Sequence, residues 1–408
     1  MEVILFMKVK FGLLPRLIVG IIIGIVLGLW GNIFIMTVYA TFNALFGQFL
    51  IFSIPLIIIG FIIPGISEMG GKAGKMAGVV VAFSYFLTVV GGFIAFYAVI
   101  LFSDFILGTV GILQEERAPI QSVIPLTIPP IMPTMTALAF AFVVGIFMTT
   151  IKGNNVFRQI ASNFQHIVKQ VIHKIIVPLL PLHISGLFAS LAFQGQVFDL
   201  MVTFFRLFVV VLALHLLFLF VLYTIAGIIY KVNPFKIMKI MIPTYITALG
   251  TQSSLATMPV NMVNVRKIGI DRNVADFVVP FGATILLPGS TMSIVACAVV
   301  VMFMFGMEIS IAALAPFIFG LAVTMVAAPG VPGGAIIAAL GMLEITLGFS
   351  EEMMTLMIAL YFAQDSFGTA ANISSDGAVA MYLNKLSGFH KLNDVSDEET
   401  QENIKTEA

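Results

Sequence analysis

Charge is scarce in this chain: of 408 residues only 10% are Asp, Glu, Lys or Arg, against about 25% in a soluble domain. With 60% of the residues hydrophobic, a water-soluble globule is excluded. Twenty basic and twenty acidic side chains leave a formal net charge of +0, and no basic run is long enough to grip a phosphate backbone, so nucleic acid is not expected as a partner. Cys297 is the single cysteine, which excludes a disulfide framework and a thiolate metal centre. His183 and His215 have no ligand partners at metal spacing and are expected as hydrogen-bonded core residues.

What is abundant is uninterrupted apolar sequence, and it implies an all-α polytopic membrane protein. A crossing helix needs about 20 apolar residues; stretches near 13–30, 36–63, 76–102, 133–151, 172–193, 200–230, 273–305 and 352–383 give eight spans. Met1 to Arg16 lack a small-residue cleavage site, so the first span reads as a retained helix, not a signal peptide. Two further stretches are apolar but broken. Pro234 to Val260 is interrupted by Gly250-Thr251-Gln252-Ser253-Ser254, and Ile309 to Leu343 by Ala328-Pro329-Gly330-Val331-Pro332-Gly333-Gly334. Neither half can cross alone, so both read as re-entrant hairpins, tolerated where protein or a wet cavity satisfies the backbone.

Charge placement supports this layout. Lys8, Lys10, Arg16, Lys72, Lys75, Lys152, Arg158, Lys169, Lys174, Lys231, Lys236, Lys239, Arg266, Lys267 and Arg272 fall on one side if the first hairpin returns to the face it entered from. Asp104, Glu115, Glu116, Asp199, Glu308, Glu344, Glu351 and Glu352 fall on the other, with Arg117 the lone cation. The positive side is the cytoplasm, which puts both termini there and the protein in the cell membrane. Residues 1–232 carry unbroken spans with proline-rich joints such as Pro129-Pro130-Pro133 and Pro178-Pro181. Residues 233–390 hold every broken element, and 391–408 read as a disordered cytoplasmic tail.

The most informative residues lie on the last span. Asp365, Thr369, Asn372 and Asp376 are spaced by four, seven and eleven from the first, which puts them on one helix face. Carboxylates at membrane depth are costly, and two on one stripe point to a transported cation or amine. They cannot form an aspartyl-protease dyad, which needs carboxyls sharing a proton, because eleven residues at about 1.5 Å each separate them by roughly 16 Å. A passive channel is the remaining rival class, against which paired hairpins argue. Paired broken segments mark a transporter's midplane site, where half-helix ends and hairpin tips offer dipoles and free backbone groups. The first tip, Thr251 to Pro259, supplies hydroxyls; the second, Pro329 to Gly334, lets backbone approach a ligand. The seventh span breaks over Gly282 to Ser290, where Pro288 frees carbonyls suited to hard cations.

Hairpin, broken span, hairpin and polar-striped last helix, in that order, resemble the dicarboxylate/amino acid:cation symporter family, the glutamate transporter fold. The run from Gln252 to Pro259, Gly282-Ala283-Thr284-Ile285, Gly330-Val331-Pro332-Gly333 and the stripe from Asp365 to Asp376 carry the likeness. Gln364-Asp365-Ser366, Thr369-Ala370 and Pro259-Val260-Asn261-Met262 look closest to the branch carrying serine and threonine with sodium. The resemblance implies sodium-coupled symport of a small neutral amino acid, a homotrimer, and an elevator in which a transport domain, joined by spans three and six, moves against a scaffold. It implies that Asp365 holds the substrate's amino group, and that Asn372 holds its carboxylate with help from Ser253, Ser254 and the backbone of Gly330, Val331 and Gly333. Thr369 then borders the side chain. One sodium would sit at Asp376 and the carbonyls of Gly282, Leu286 and Asn372. A second would sit at the carbonyls of Thr284, Met325, Val326 and Ala328. Tyr85 and Thr88 match ligands of a third cation path, but Leu286 and Pro288 stand where the family has Asn and Asp. Gly368 replaces the arginine of acidic-substrate members and Gln252 the hairpin arginine, which disfavours aspartate and glutamate, since an unpaired buried carboxylate costs several kcal/mol. A dicarboxylate, acidic amino acid or cystine carrier, with or without proton coupling, is the nearest alternative.

Overall fold

The computed structural model describes residues 13–72, 75–108, 120, 122–124, 126–150, 156–195, 197–326, 328, 332–388 and 392. Gly330, Val331 and almost all of the expected tail lie outside them. The described chain is helical, with no strand among the described residues. The helices are α1 (Leu13–Trp30), α2 (Ile33–Lys72), α3 (Lys75–Leu101), α4 (Ser103–Leu107), α5 (Thr134–Thr150), α6 (Val156–Val171), a π-helical turn (Ile172–Ile176) and α7 (Val177–Phe193). They continue with α8 (Val197–Tyr230), α9 (Pro234–Thr251), α10 (Ser254–Lys267), α11 (Arg272–Ile285), α12 (Pro288–Met304), α13 (Ile311–Val326), α14 (Gly334–Leu347) and α15 (Glu351–Leu386).

Five helical stretches among the described residues are long and apolar enough to cross a membrane: Ile33–Gly65, Gly78–Leu101, Val156–Phe193, Val197–Tyr230 and Arg272–Met304. Shorter apolar helices cover Pro15–Trp30, Ala139–Thr150, Ile311–Val326 and Gly334–Leu347. α15 is long but too polar to count among them, yet it is buried along nearly its whole length. It meets α8, α9, α10, α11, α12 and α14, so its polar residues face protein.

Packing sorts the helices into two groups. α1 lies along α7, and α2 along α5, α6 and α7; the second group gathers α3 and α8 to α14 around α12 and α15. The α1–α7 pair is unusually close. Gly20, Gly24 and Gly28 repeat every four residues, and a Cβ on each would sit 2.6, 2.2 and 2.3 Å from the carbonyl oxygens of Pro181, Ser185 and Ala189. Small residues at that period let helix backbones touch.

Two expectations are corrected. Pro178 and Pro181 form no joint: both lie inside α7, directly after the π-helical turn. Prolines lack an N–H, and a wider turn just upstream absorbs the mismatch. The fifth span is also preceded by continuous helix from Val156 rather than beginning near 172.

The breaks fall where the polar and Gly/Pro runs placed them. α9 ends when Gln252 takes a left-handed conformation (φ 53°), and Ser253 caps α10 by accepting from the Ala256 amide. α9 and α10 fold back on each other, with the Asn264 amide donating to the Thr244 hydroxyl between them at 2.9 Å. α13 and α14 pair likewise, and α14 is preceded by Gly333 at its N-cap, whose φ of +71° favours glycine. Between α11 and α12, Pro288 opens the new helix at a position where its missing N–H costs nothing. Ser350 caps α15 through the Met353 amide, with Glu351 and Glu352 on the positive end of its dipole and Lys385 at the other.

Candidate cation and substrate site

α12 begins without a cap of its own: Leu287 makes no side-chain capping bond. The cap arrives from α15. Asn372 Oδ1 accepts from the amides of Gly289 (2.8 Å) and Ser290 (3.1 Å), while its Nδ2 donates to the Ser290 hydroxyl at 2.8 Å. Tyr361 Oη donates to the same Ser290 oxygen at 3.0 Å. Both polar atoms of the Asn372 side chain therefore help to join α15 to the break. Helix α8 grips the break from behind, where His215 Nε2 donates to the Gly289 carbonyl at 2.9 Å, and Ser84 of α3 donates to the carbonyl of Ile285.

One turn along α15, Asp376 is fully buried. Its Oδ2 accepts from Asn261 Nδ2 of α10 at 2.9 Å. Its Oδ1 has no hydrogen-bond partner. That bare oxygen faces Gly282, where a Cβ would lie 2.6 Å from it and 2.9 Å from Leu286 Cδ1. Gly282, Leu286 and Asp376 thus lie side by side. The donor set, a carboxylate beside the carbonyl-freeing end of α11, suits a hard cation.

At the other end of the stripe Asp365 is 3% exposed. Its Oδ2 accepts from the Gly333 amide at 2.7 Å. The start of α14 is thus held against α15, and a Cβ on Gly333 would strike the ring of Phe362. At the first hairpin Gln252 Nε2 donates to Ser366 Oγ at 2.8 Å, a link that holds a non-glycine residue in its left-handed turn. Ser254 is buried, and Ser253 is committed to its capping bond. No ion pair reaches Asp365 or Asp376 among the described residues; those present join Arg266 and Arg272 to Asp276.

The expected second ion position is less tightly drawn. Thr284 donates to Phe281, Met325 and Val326 form the end of α13, and the Ala328 amide turns back to Met325. α11 and α13 are in contact. Of the third path, Thr88 is buried with an unpartnered hydroxyl and Tyr85 is half-buried. His183 is a bonded core residue, between Asn43 Oδ1 (3.1 Å) and the Thr355 hydroxyl (3.2 Å). It lines a cavity of about 370 Å³ between α2, α7 and the start of α15 that shares no residue with the stripe. Sequence reasoning gave no site role to the side chains of Asn261, His215, Ser84, Ser290 and Tyr361. Polarity within apolar helices was their common signal, but none stands on the stripe.

The profile of the sodium:dicarboxylate symporter family matches residues 13–386. The chain belongs to that family. The family is described as one of symporters. It is 25% identical over 241 residues to a serine/threonine transporter of Acinetobacter baumannii (strain AYE), a match covering 58% of this chain and 60% of that protein. The chain thus spans about 60% of that relative's length. It is 24% identical over 413 residues to a proton/sodium-glutamate symport protein of Geobacillus stearothermophilus, covering 93% of this chain and 95% of the relative. Over 156 residues it is 28% identical to excitatory amino acid transporter 4 of Mus musculus, covering 38% and 28%. Within the sodium:dicarboxylate symporters this chain has Gly368 packed against the start of α12, a Cβ there lying 3.5 Å from Ser290 and Ser293.

Proposed function

We propose that this chain is a secondary active transporter that carries a small neutral amino acid, of the size of serine, threonine or alanine, into the cell together with sodium. The observation that carries the reading is the bare, fully buried Oδ1 of Asp376 against Gly282. An ionised carboxylate removed from water with half its acceptor capacity unused is stable only with a countercharge. A sodium ion, here a transported substrate, supplies it. Asp365, buried with an amide donor and without a basic partner among the described residues, is suited to a substrate ammonium. Ser253, Ser254, Thr369, Asn372 and the tip residues Gly330, Val331 and Gly333 complete the substrate site, and Thr284, Met325, Val326 and Ala328 a second sodium position. The carrier works as a homotrimer in the cell membrane with both termini cytoplasmic. The group around α12 and α15 is the mobile unit, and the group of α1, α2 and α5 to α7 is the scaffold.

The absence of a cation at Gly368 and Gln252 favours a neutral substrate over an acidic one. The long match to a glutamate symport protein favours the second reading, an acidic amino acid or dicarboxylate carrier with proton coupling. Uptake into liposomes decides between them. Sodium-gradient-driven serine, threonine or alanine uptake, lost in Asp365→Asn and Asp376→Asn and not competed by aspartate, is expected. Uptake indifferent to both substitutions overturns the mechanism, and competition by aspartate or a dicarboxylate moves the assignment to the second reading.

A further inference from the structure

Helix α10 brings a polar side chain to the ion position from outside the stripe. Asn261 is fully buried, and its Nδ2 donates to Asp376 Oδ2 at 2.9 Å. That bond fixes which branch of the carboxamide faces Asp376, and the other branch, Oδ1, has no partner. The second oxygen of Asp376 is bare as well. Two neighbouring side chains, on two different helices, are thus locked together through one atom each and each keep one oxygen unsatisfied. Turning the amide over gives no relief. It would set Oδ1 against Asp376 Oδ2 and leave a buried N–H₂ without an acceptor. Each bare buried oxygen costs about 1–3 kcal/mol, and a single cation touching both removes the two costs together. An amide oxygen is a hard, neutral donor of the kind such cations accept, and it adds a ligand without adding a second negative charge.

We propose that Asn261 Oδ1 is a direct ligand of the sodium ion at Asp376, so that the first hairpin shares in coordinating the ion. The proposal rests on reading Asp376 as a sodium ligand and extends it to an arm of the fold outside the α11–α15 pocket. It makes ion binding a clamp between α10 and α15: an empty site keeps one hydrogen bond between them, a filled site adds a bridge.

The test is thermal stabilisation of the purified full-length protein by NaCl, titrated against choline chloride at constant ionic strength without amino acid. Asn261→Val, which removes the oxygen at similar volume, is expected to raise the half-saturating sodium concentration at least tenfold, the scale seen when groups supporting a metal are lost. Asn261→Asp separates ligation from mere hydrogen bonding to Asp376. A ligand position predicts a lower half-saturating concentration, because an anionic oxygen replaces a neutral one. A donor role predicts a higher one, because two carboxylates then face each other without a donor. A sodium response in Asn261→Val within twofold of the unsubstituted protein overturns the proposal, and where that variant does not fold, a raised value in Asn261→Asp does so. No sodium response in the unsubstituted protein would instead remove the underlying reading of Asp376.

Discussion

Replacing Gly282 with alanine adds one methyl group to the wall of the ion position. That methyl would lie 2.6 Å from Asp376 Oδ1, about 0.8 Å inside the 3.4 Å at which ordinary contact begins. The carboxylate cannot retreat freely, because its other oxygen is held by Asn261 at 2.9 Å and Tyr223 Oη ties down the backbone beside it through the Ser374 carbonyl. Overpacking of this kind costs about 1–3 kcal/mol of fold stability. The ion should suffer separately, since ligand distances hold within about 0.2 Å, so sodium affinity is expected to fall at least tenfold, or about 1.4 kcal/mol. The two effects separate in one assay. At sodium equal to about 100 times its dissociation constant the ion stabilises the protein by about 2.7 kcal/mol, and a tenfold weaker site halves that to about 1.4 kcal/mol. Melting in NaCl and in choline chloride reads both terms: the choline curve reports overpacking, the difference between curves reports the ion. Gly78→Ala, where nothing lies within 4 Å of the added Cβ, should leave the difference unchanged. A Gly282→Ala protein that melts lower but keeps the full sodium increment would refute the placement of a cation against Asp376.

Asp365→Asn is expected to abolish amino-acid-dependent stabilisation while leaving the increment from sodium alone, since Asp376 is eleven residues away along α15; loss of both would show that the two carboxylates serve one ligand. Gly333→Ala, strained at φ +71° and colliding with Phe362, should weaken amino-acid binding at least tenfold by lifting the amide that caps Asp365, readable as the same stabilisation. His215→Leu leaves the buried Gly289 carbonyl without its donor and should lower stability by about 1–3 kcal/mol, with partial recovery in His215→Gln; an unchanged melting temperature would mean that α8 does not hold the break. Gly24→Ala puts a methyl 2.2 Å from the Ser185 carbonyl oxygen and should destabilise by at least about 1–3 kcal/mol without altering the sodium increment.

The broken helices were legible because their signals are local. Polar runs and Gly/Pro clusters interrupt apolar sequence at Gln252-Ser253, at Leu286-Leu287 and before Gly334, and the helices end there. The stripe was legible for a related reason: Asp365 and Asp376 conflict with their apolar surroundings, and helical periodicity aligns them. Where the partner is remote in sequence, no pattern announces it. Asn261 reaches Asp376 across 115 residues, Asn372 caps α12 across 83, and His215 holds Gly289 across 74. The sequence also pointed to Asn372 as a substrate contact; the bonds that cap α12 take up its Oδ1 and one of the two hydrogens on Nδ2. The π-helical turn before Pro178 escaped because prolines read as chain breaks until a neighbouring distortion accommodates them.

Backbone laid directly on backbone, as along Gly20, Gly24 and Gly28, has a mechanical consequence. Long side chains between helices can change rotamer and let the helices glide, whereas three glycines seated on carbonyl oxygens leave no slack to take up. The α1–α7 pair therefore behaves as a stiff beam. Any large displacement of α12 and α15 has to be accommodated at the boundary between the two helix groups, where His183 meets Thr355, Gln48 meets Glu351 and Thr134 meets Glu344 through single polar contacts that water can replace at little net loss.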